Sequence, residues 1–512
     1  MTEPAEKKIA ARAGIGGIAV LGAKVFFILA GFVQQALLPR FIGRAGWGAL
    51  SLVMAPANIV NNVVVAGSTQ SASRAVAGAP GRENEAQRAA MRVHVPIALG
   101  AGVLFGAAAI PIATFEHAPY IAAPLAMMSA VLFFYGLYAP LIGVLNGRGL
   151  FVKQATLDVL FATMRTIGLL GVGWLFVRRG LSGELGSTVG FALAAAAIAV
   201  VAGGMVRGAS RASSSGAGDV LRGMGYVAVL FPLALAQLFT NALMQIDIML
   251  LGRFLHTTGP SASAADEWVA TYRACQLFAF LPYQLLLSLT QILFPMLARA
   301  KAEGSASEVR DYVARGSRLG AIAMGAMVAV IAGMPETAIR FAYDPDTAAR
   351  GASTLRILAL GQGAFAMLGI GCTVLSSLGR ERTSATLTAA SAALAAGACA
   401  IVVPAQRFGG DQLRATALCV AIVLVLALAA CAVAVVRVAG SFVPLASTAR
   451  VGVALAIAVA LGTRIPPVSR LLAPAVGIAL ALAYLAVLAI SREIGTADLR
   501  WVAGAMRRGK PR

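Results

Sequence analysis
The feature that most constrains this chain is a succession of apolar runs, each about twenty residues long, separated by short polar connections. None alternates with a period of two, so half-buried strands are excluded and each run reads as a helix able to cross hydrocarbon. Inside lipid every backbone N–H and C=O must find its partner within the protein, which a helix achieves on its own. Composition matters here for one reason. The chain is 59% hydrophobic and only 12% charged, where a soluble domain carries about a quarter charged residues. Too little polar surface is left to cover a water-soluble core. The longest polar interval, about two dozen residues, is also too short for a separate aqueous enzyme domain.

The expected spans are 14–38, 49–71, 93–113, 121–145, 155–177, 188–206, 226–251, 274–297, 319–339, 356–378, 386–404, 415–436, 451–463 and 471–490. Fourteen crossings return the chain to its starting side. Most Lys and Arg fall in the amino-terminal segment, the even-numbered connections and the carboxyl tail, where Arg492, Arg500, Arg507, Arg508, Lys510 and Arg512 cluster. The positive-inside bias therefore predicts that both termini are cytoplasmic. It also explains the net charge of +21 without a nucleic-acid partner. Met1 to Arg12 is polar and basic, with no small-residue cleavage site after the first apolar run. That run is expected to be a retained helix rather than a signal peptide.

Several motif types are excluded. Cys275, Cys372, Cys399, Cys419 and Cys431 are odd in number, lack CxxC spacing and lie mostly in apolar runs, so they read as small core residues. His94, His117 and His256 are isolated, with no spacing for a metal. The glycines at 14, 16 and 17 and at 223 and 225 follow no strand, and no Walker-type loop occurs. No cofactor is expected, and ATP does not power this chain directly. Gly102/Gly106 and Gly143/Gly147 have the small-xxx-small spacing of close helix contacts.

Weak self-similarity divides the chain. Arg40-Phe41-Ile42 with Trp47 corresponds to Arg253-Phe254-Leu255 with Trp268. The polar loop of Arg82, Glu83, Glu85, Arg88 and Arg92 corresponds to Glu303, Glu308, Arg310, Asp311 and Arg315. There Ser305 and Glu308 form a capping box that predicts a short surface helix. Val144 to Arg148 corresponds to Ser376 to Arg380. Two six-helix lobes in parallel orientation are expected, 1–212 and 213–436, with helices thirteen and fourteen and the basic tail at 437–512.

Polar groups within the spans are the candidate site. Lys24 and Arg165 lie near the middles of the first and fifth spans, where a charge costs about 2.5–3.5 kcal/mol. Each either faces an aqueous cavity or a buried anion, or caps helix carbonyls or pairs with a buried acid. Asp247, about a turn from the end of the seventh span, is a candidate coupling-ion residue, a helix-end acid reached by interfacial water, or a structural partner of the two cations. Asp158 reads as a helix-start charge favoured by the macrodipole. Polar stripes accompany these charges: Lys24, Gly31 and Gln35; Asn58, Asn61 and Asn62; Gln237, Asn241 and Gln245; Gln284, Ser288 and Gln291. Each stripe is interhelical glue or cavity lining, and their concentration in spans one, two, seven and eight favours a shared cavity. Lys24, Arg165, Gln35, Asn58, Asn62, Asn241, Gln245 and Gln284 are therefore the candidate substrate-binding set.

From Leu38 to Gly48 a helix ends in Ile42-Gly43 and turns through Gly46-Trp47-Gly48 into the next; Ala66-Gly67-Ser68 and Ser73-Arg74 close the second span. Asp247 to Gly252 and Phe294-Pro295 mark the seventh and eighth. In these features and their order the chain resembles the polysaccharide-flippase branch of the multidrug/oligosaccharidyl-lipid/polysaccharide exporter superfamily. The resemblance implies a multi-pass bacterial inner-membrane protein, not an enzyme. It would move an undecaprenyl-pyrophosphate-linked oligosaccharide to the outer leaflet by alternating access, with polysaccharide polymerases as partners; the driving force is either an H+ or Na+ gradient acting through Asp247 or consumption of the substrate on the far side. Lys24 and Arg165 would then carry the pyrophosphate at mid-depth, with Arg40, Arg44, Arg253 and Arg273 around the exit. Two rivals share the superfamily. Lipid II flippases also have fourteen helices, but the Asp-Ala-Phe segment usual in them is replaced here by Gly48-Ala49-Leu50. Multidrug antiporters usually carry an acid in the first helix, where this chain has Lys24. A membrane glycan ligase or polymerase would need a larger outer loop than 252–273.

Overall fold
The computed structural model describes residues 3–208, 223–284, 297, 299–301 and 303–495, all of whose regular structure is helical. The helices are α1 (Ala19–Ile42), α2 (Arg44–Ala77), α3 (Glu83–Phe115), α4 (Pro119–Gly147), α5 (Phe151–Arg178) and α6 (Gly183–Arg207). After them come α7 (Gly223–Thr258) and α8 (Ala262–Ala279). Next are α9 (Ala306–Gly333), the short α10 (Pro335–Ala342), α11 (Pro345–Ser377), α12 (Glu381–Ala405), α13 (Gly410–Ala439), α14 (Leu445–Gly462) and α15 (Ala473–Ile490). Among the described residues thirteen helices are long and apolar enough to cross a membrane. The eighth expected span runs into residues outside those described, as do Ser288, Gln291, Phe294-Pro295 and most of the basic tail. The chain is a multi-pass membrane protein. Leu104, Val200 and Ile401 are 72%, 75% and 78% exposed, positions that only a lipid-facing surface makes favourable.

Three expected boundaries move. The helix ahead of α2 runs on past residue 38 to Ile42, and only Gly43 (φ 78°, ψ 162°) separates the two, a conformation that glycine adopts without strain. The seventh span does not end at 251: α7 continues to Thr258 and α8 starts at Ala262, so the expected loop 252–273 is largely helix. Ser305 does cap a helix, its Oγ accepting from the Glu308 amide at 3.4 Å. That helix is α9 itself rather than a separate surface helix, because the apolar run follows without interruption.

The chain forms two compact units, Met1–Ala270 and Thr271–Lys510. The first boundary lies beyond the expected lobe limit at 212 because α7 packs along α2, with Gly252 against Leu52 and Asn241 bonded to Asn62. Within unit 1, α4 is the most enclosed span. Gly143 and Gly147 let it approach α2 so closely that a Cβ would lie 2.5 Å from Thr69 O and 2.7 Å from Ser73 O. Gly102 and Gly106 play the same part against Ser129, as their spacing predicts. A second close crossing joins α5 and α6, where a Cβ on Gly190 would come 2.0 Å from Gly168 O.

Within unit 2, α11 packs on α13, with Gly361 against Ala421 and Gly371 against Cys431. The final pair, α14 and α15, packs on α9 through Ile322, Ala329, Ala454, Ala458, Leu480 and Tyr484. All five cysteines are free thiols and four are buried, in keeping with their reading as core residues.

Candidate functional site
A polar cluster in the spans of unit 1 forms around α5. Arg165 and Asp158 are seven residues apart and so share a face of that helix. One turn beyond Arg165, residues Gly168–Val172 form a π turn, a distortion often found beside functional groups. The helix begins at Phe151, earlier than expected, so Asp158 lies about two turns inside it rather than at its start. Its Oδ1 accepts from the Tyr138 hydroxyl at 3.5 Å, and Lys24 acts on it electrostatically.

Arg165 is half-buried. Its Nε donates to Gln34 Oε1 at 3.2 Å, and its guanidinium lies 4.9 Å from the Phe27 ring centre and 5.9 Å from that of Phe191. The Tyr135 hydroxyl is a further hydrogen-bond partner. Gly31 leaves room for the head group: a Cβ there would be 3.7 Å from Arg165 Nη2. No carboxylate lies within ion-pair distance of Arg165 among the described residues. Its charge is offset only by neutral oxygens and ring faces. Tyr135, Tyr138, Phe161 and Phe191 form an aromatic cluster beside it, with centroids 4.9–6.2 Å apart; Tyr135 meets the other three edge-to-face and Tyr138–Phe161 is tilted.

Lys24 is exposed on unit 1. Gln35 accepts from the buried Trp47 indole at 3.0 Å. Asn62 Nδ2 donates to Asn241 Oδ1 at 2.7 Å, and Asn241 Nδ2 donates to Gln237 O at 2.8 Å. These amides join α2 to α7. Asn58 is half-buried. Asn61 Oδ1 and Gln245 Oε1 are buried without a hydrogen-bond partner. Gln284 belongs to unit 2 and is half-buried.

Asp247 is only 2% exposed, and its Oδ1 accepts from the Ile248 amide at 2.8 Å. Because α7 runs on to Thr258, Asp247 is about three turns from its end rather than one. This corrects the helix-end reading. Three of the four arginines expected around the exit have protein partners. Arg44 pairs with Glu267 at 3.7 Å, Arg253 donates to Phe115 O at 2.6 Å, and Arg273 donates to Gln276 at 3.0 Å.

The sequence reading missed Gln34, Tyr135 and Tyr138. Their signal was present, since Tyr135 and Tyr138 are three residues apart inside an apolar run and so share a helix face.

The MatE family model matches residues 232–401. A search of curated proteins finds no match. Among solved structures, the lipid II flippase MurJ in an inward closed conformation superposes with a TM-score of 0.70 at 12% identity, covering 94% of this chain and 99% of that one. An inward-facing multidrug resistance MATE family transporter of the MOP superfamily gives 0.64 at 16% identity, covering 81% and 94%. An outward-facing multidrug resistance MATE family transporter of the MOP superfamily gives 0.58 at 16% identity, covering 85% and 96%. The chain has the fold of the MOP-superfamily transporters.

Proposed function
We propose that this protein is an inner-membrane flippase for an undecaprenyl-pyrophosphate-linked oligosaccharide in bacterial cell-surface polysaccharide synthesis. The observation that carries the reading is Arg165, a mid-span guanidinium with no carboxylate partner among the described residues, supported on Phe27 and Phe191 and ready for an anion. A pyrophosphate crossing about 30 Å of hydrocarbon loses its hydration, and fixed positive charge in a low-dielectric site offsets that loss. Lys24 extends the positive charge along α1. Asn58, Asn62, Asn241, Gln245, Gln35 and Gln284 would meet the sugars, and the polyprenyl chain would stay in lipid. Both termini are cytoplasmic in this reading, residues 1–212 and 213–436 act as lobes that alternate access, and Asp247 takes up the coupling H+ or Na+. Polysaccharide polymerases would receive the product.

Lipid II is the second reading, favoured by the MurJ superposition over nearly the whole chain. The two share the polyprenyl pyrophosphate and differ in the glycan. A cationic drug is the poorer substrate for a site whose mid-span charges include Arg165 and Lys24.

Reconstituted vesicles separate these readings. Outward movement of a fluorescent undecaprenyl-pyrophosphate oligosaccharide should be accelerated by the protein and competed by unlabelled carrier. Preferential movement of lipid II would transfer the assignment to the second reading. Movement of a cationic dye but neither lipid would overturn both.

A further inference from the structure
At one end of unit 1 the α3–α4 turn, the last turn of α7 and the first turns of α2, α6 and α8 bring together an unusual density of titratable groups. Glu116 closes α3, its amide donating to Ile112 O at 2.9 Å. Its side chain is completely buried, and among the described residues neither carboxyl oxygen meets a donor at full hydrogen-bond geometry, the Arg253 backbone amide being the one donor that bears on it. The carboxyl is pressed against α7 at Gly252, where a Cβ would come 2.9 Å from Oε2. Arg253 is the counter-charge that acts on it, and part of its guanidinium is engaged elsewhere. Nη1 donates to Phe115 O at 2.6 Å and the head group lies 4.5 Å over the Phe115 ring.

Beside this carboxyl runs a short hydrogen-bonded chain. The Tyr120 hydroxyl donates to Asp266 Oδ2 at 2.6 Å and lies 2.9 Å from His256 Nε2. His256 Nε2 is 3.4 Å from Asp266 Oδ1. The other ring nitrogen, Nδ1, is 2.8 Å from Gly252 O. A carbonyl can only accept, so Nδ1 carries a proton. Tyr120 has one proton and gives it to Asp266 at the shorter distance, so a neutral His256 leaves Nε2 facing Tyr120 and Asp266 without a donor. An added proton on Nε2 satisfies all three groups. Gly252 thus touches both Glu116 and His256. The remaining charges around them are Glu184 on α6, Glu267 paired with Arg44 of α2, and the exposed His117 in the turn.

We propose that Glu116 is a proton-binding site, linked through Gly252 to the His256–Tyr120–Asp266 chain, and that proton occupancy controls how the end of α7 packs on the α3–α4 turn. A proton suits the geometry and a metal ion does not. No three His, Cys, Asp or Glu among the described residues are placed to hold a metal. Burial holds the Glu116 carboxyl well above its ordinary range, against the opposing charge and backbone hydrogen bond of Arg253. An ionised Glu116 would place a second negative charge next to Tyr120, whose oxygen already faces Asp266. Tyr120 is partly exposed and gives the chain its route to water.

Infrared spectroscopy of the full-length protein in lipid nanodiscs tests this. The native protein at neutral pH should show the carbonyl band of a protonated carboxyl that Glu116→Gln lacks, and the native band should fade as the pH is raised. Glu116→Asp keeps an acid in place and should shift the band and its midpoint. Hydrogen exchange across the last turns of α7, corrected for intrinsic rate, should rise with pH in the native protein and stay level in Glu116→Gln. Identical native and Glu116→Gln spectra would overturn the proposal. So would pH-dependent exchange that persists unchanged in the Gln variant.

Discussion

Replacing Arg165 with alanine tests whether its charge serves transport or holds the fold. The structure permits a balance. Removing the side chain loses the hydrogen bonds to Gln34 and Tyr135, and an interhelical side-chain bond in a membrane protein averages about 0.6 kcal/mol. It also loses contacts to Phe27 and Phe191, each worth about 0.5–1 kcal/mol at a partly exposed site. Against that loss of about 2–3 kcal/mol stands the cost of placing a charge at mid-span, about 2.5–3.5 kcal/mol. The two nearly cancel, so Arg165→Ala should insert and fold with stability within about 1 kcal/mol of native. Transport should fall much further. A hydrogen bond between guanidinium and pyrophosphate is worth about 1.5–3 kcal/mol, a loss of roughly 10- to 100-fold in flipping rate. Arg165→Lys keeps the charge but not the flat stacking on two rings, and should fall between. Thermal unfolding in detergent and flipping in reconstituted vesicles are measured on the same preparations. A variant that is degraded or loses about 3 kcal/mol or more, as on breaking a buried ion pair, would refute the reasoning. So would a stable variant that flips at the native rate.

Lys24→Ala should likewise leave the fold intact, since Lys24 is exposed on unit 1, and should slow flipping; native flipping in that variant would remove Lys24 from the site. Asp247→Asn should abolish the acceleration that an imposed inward ion gradient gives the native protein, and an equal response in both would leave Asp247 structural. Gly190→Ala drives a methyl to 2.0 Å from Gly168 O and should cost about 1–3 kcal/mol by overpacking, read as a lowered Tm; an unchanged Tm would show that α5 and α6 separate easily. Glu116 binds its proton more tightly folded than unfolded, because burial raises its carboxyl well above the ordinary carboxyl range. Its stabilising effect is therefore complete at acid pH and declines as pH rises from the ordinary carboxyl range through the raised folded value. Tm measured across that range should fall in the native protein and change less in Glu116→Gln. Accessibility of single cysteines should place residues 82–92 and 303–318 on one side and 259–261 on the other, and a shared side would break the two-lobe reading.

The fold was legible because the physics that dictates it is coarse. Thirteen runs reappear as helices, since lipid leaves the backbone no alternative, and small residues at Gly143/Gly147 marked a close crossing that one helix face suffices to specify. Boundaries moved where polar residues continue a helix beyond the hydrocarbon. Arg253, His256 and Asp266 look like loop in a hydropathy reading, yet α7 and α8 extend past the apolar segment and bury them partly in protein. Asp247 shifted from helix end to helix interior for the same reason.

The candidate site was half legible, and the difference lies in what each residue type reveals by position alone. A cation at mid-span is costly anywhere in hydrocarbon, so Arg165 announces itself whatever surrounds it. The groups that hold it, Gln34, Phe27, Phe191 and Tyr135, belong to helices α1, α4 and α6, and only the packing brings them together. Glu116 carried still less signal. An acid in a polar turn reads as solvated, and its burial follows from a glycine on α7 more than a hundred residues away that leaves space for the carboxyl. Sequence position therefore exposes charges that the membrane would reject. It hides charges that the protein itself encloses.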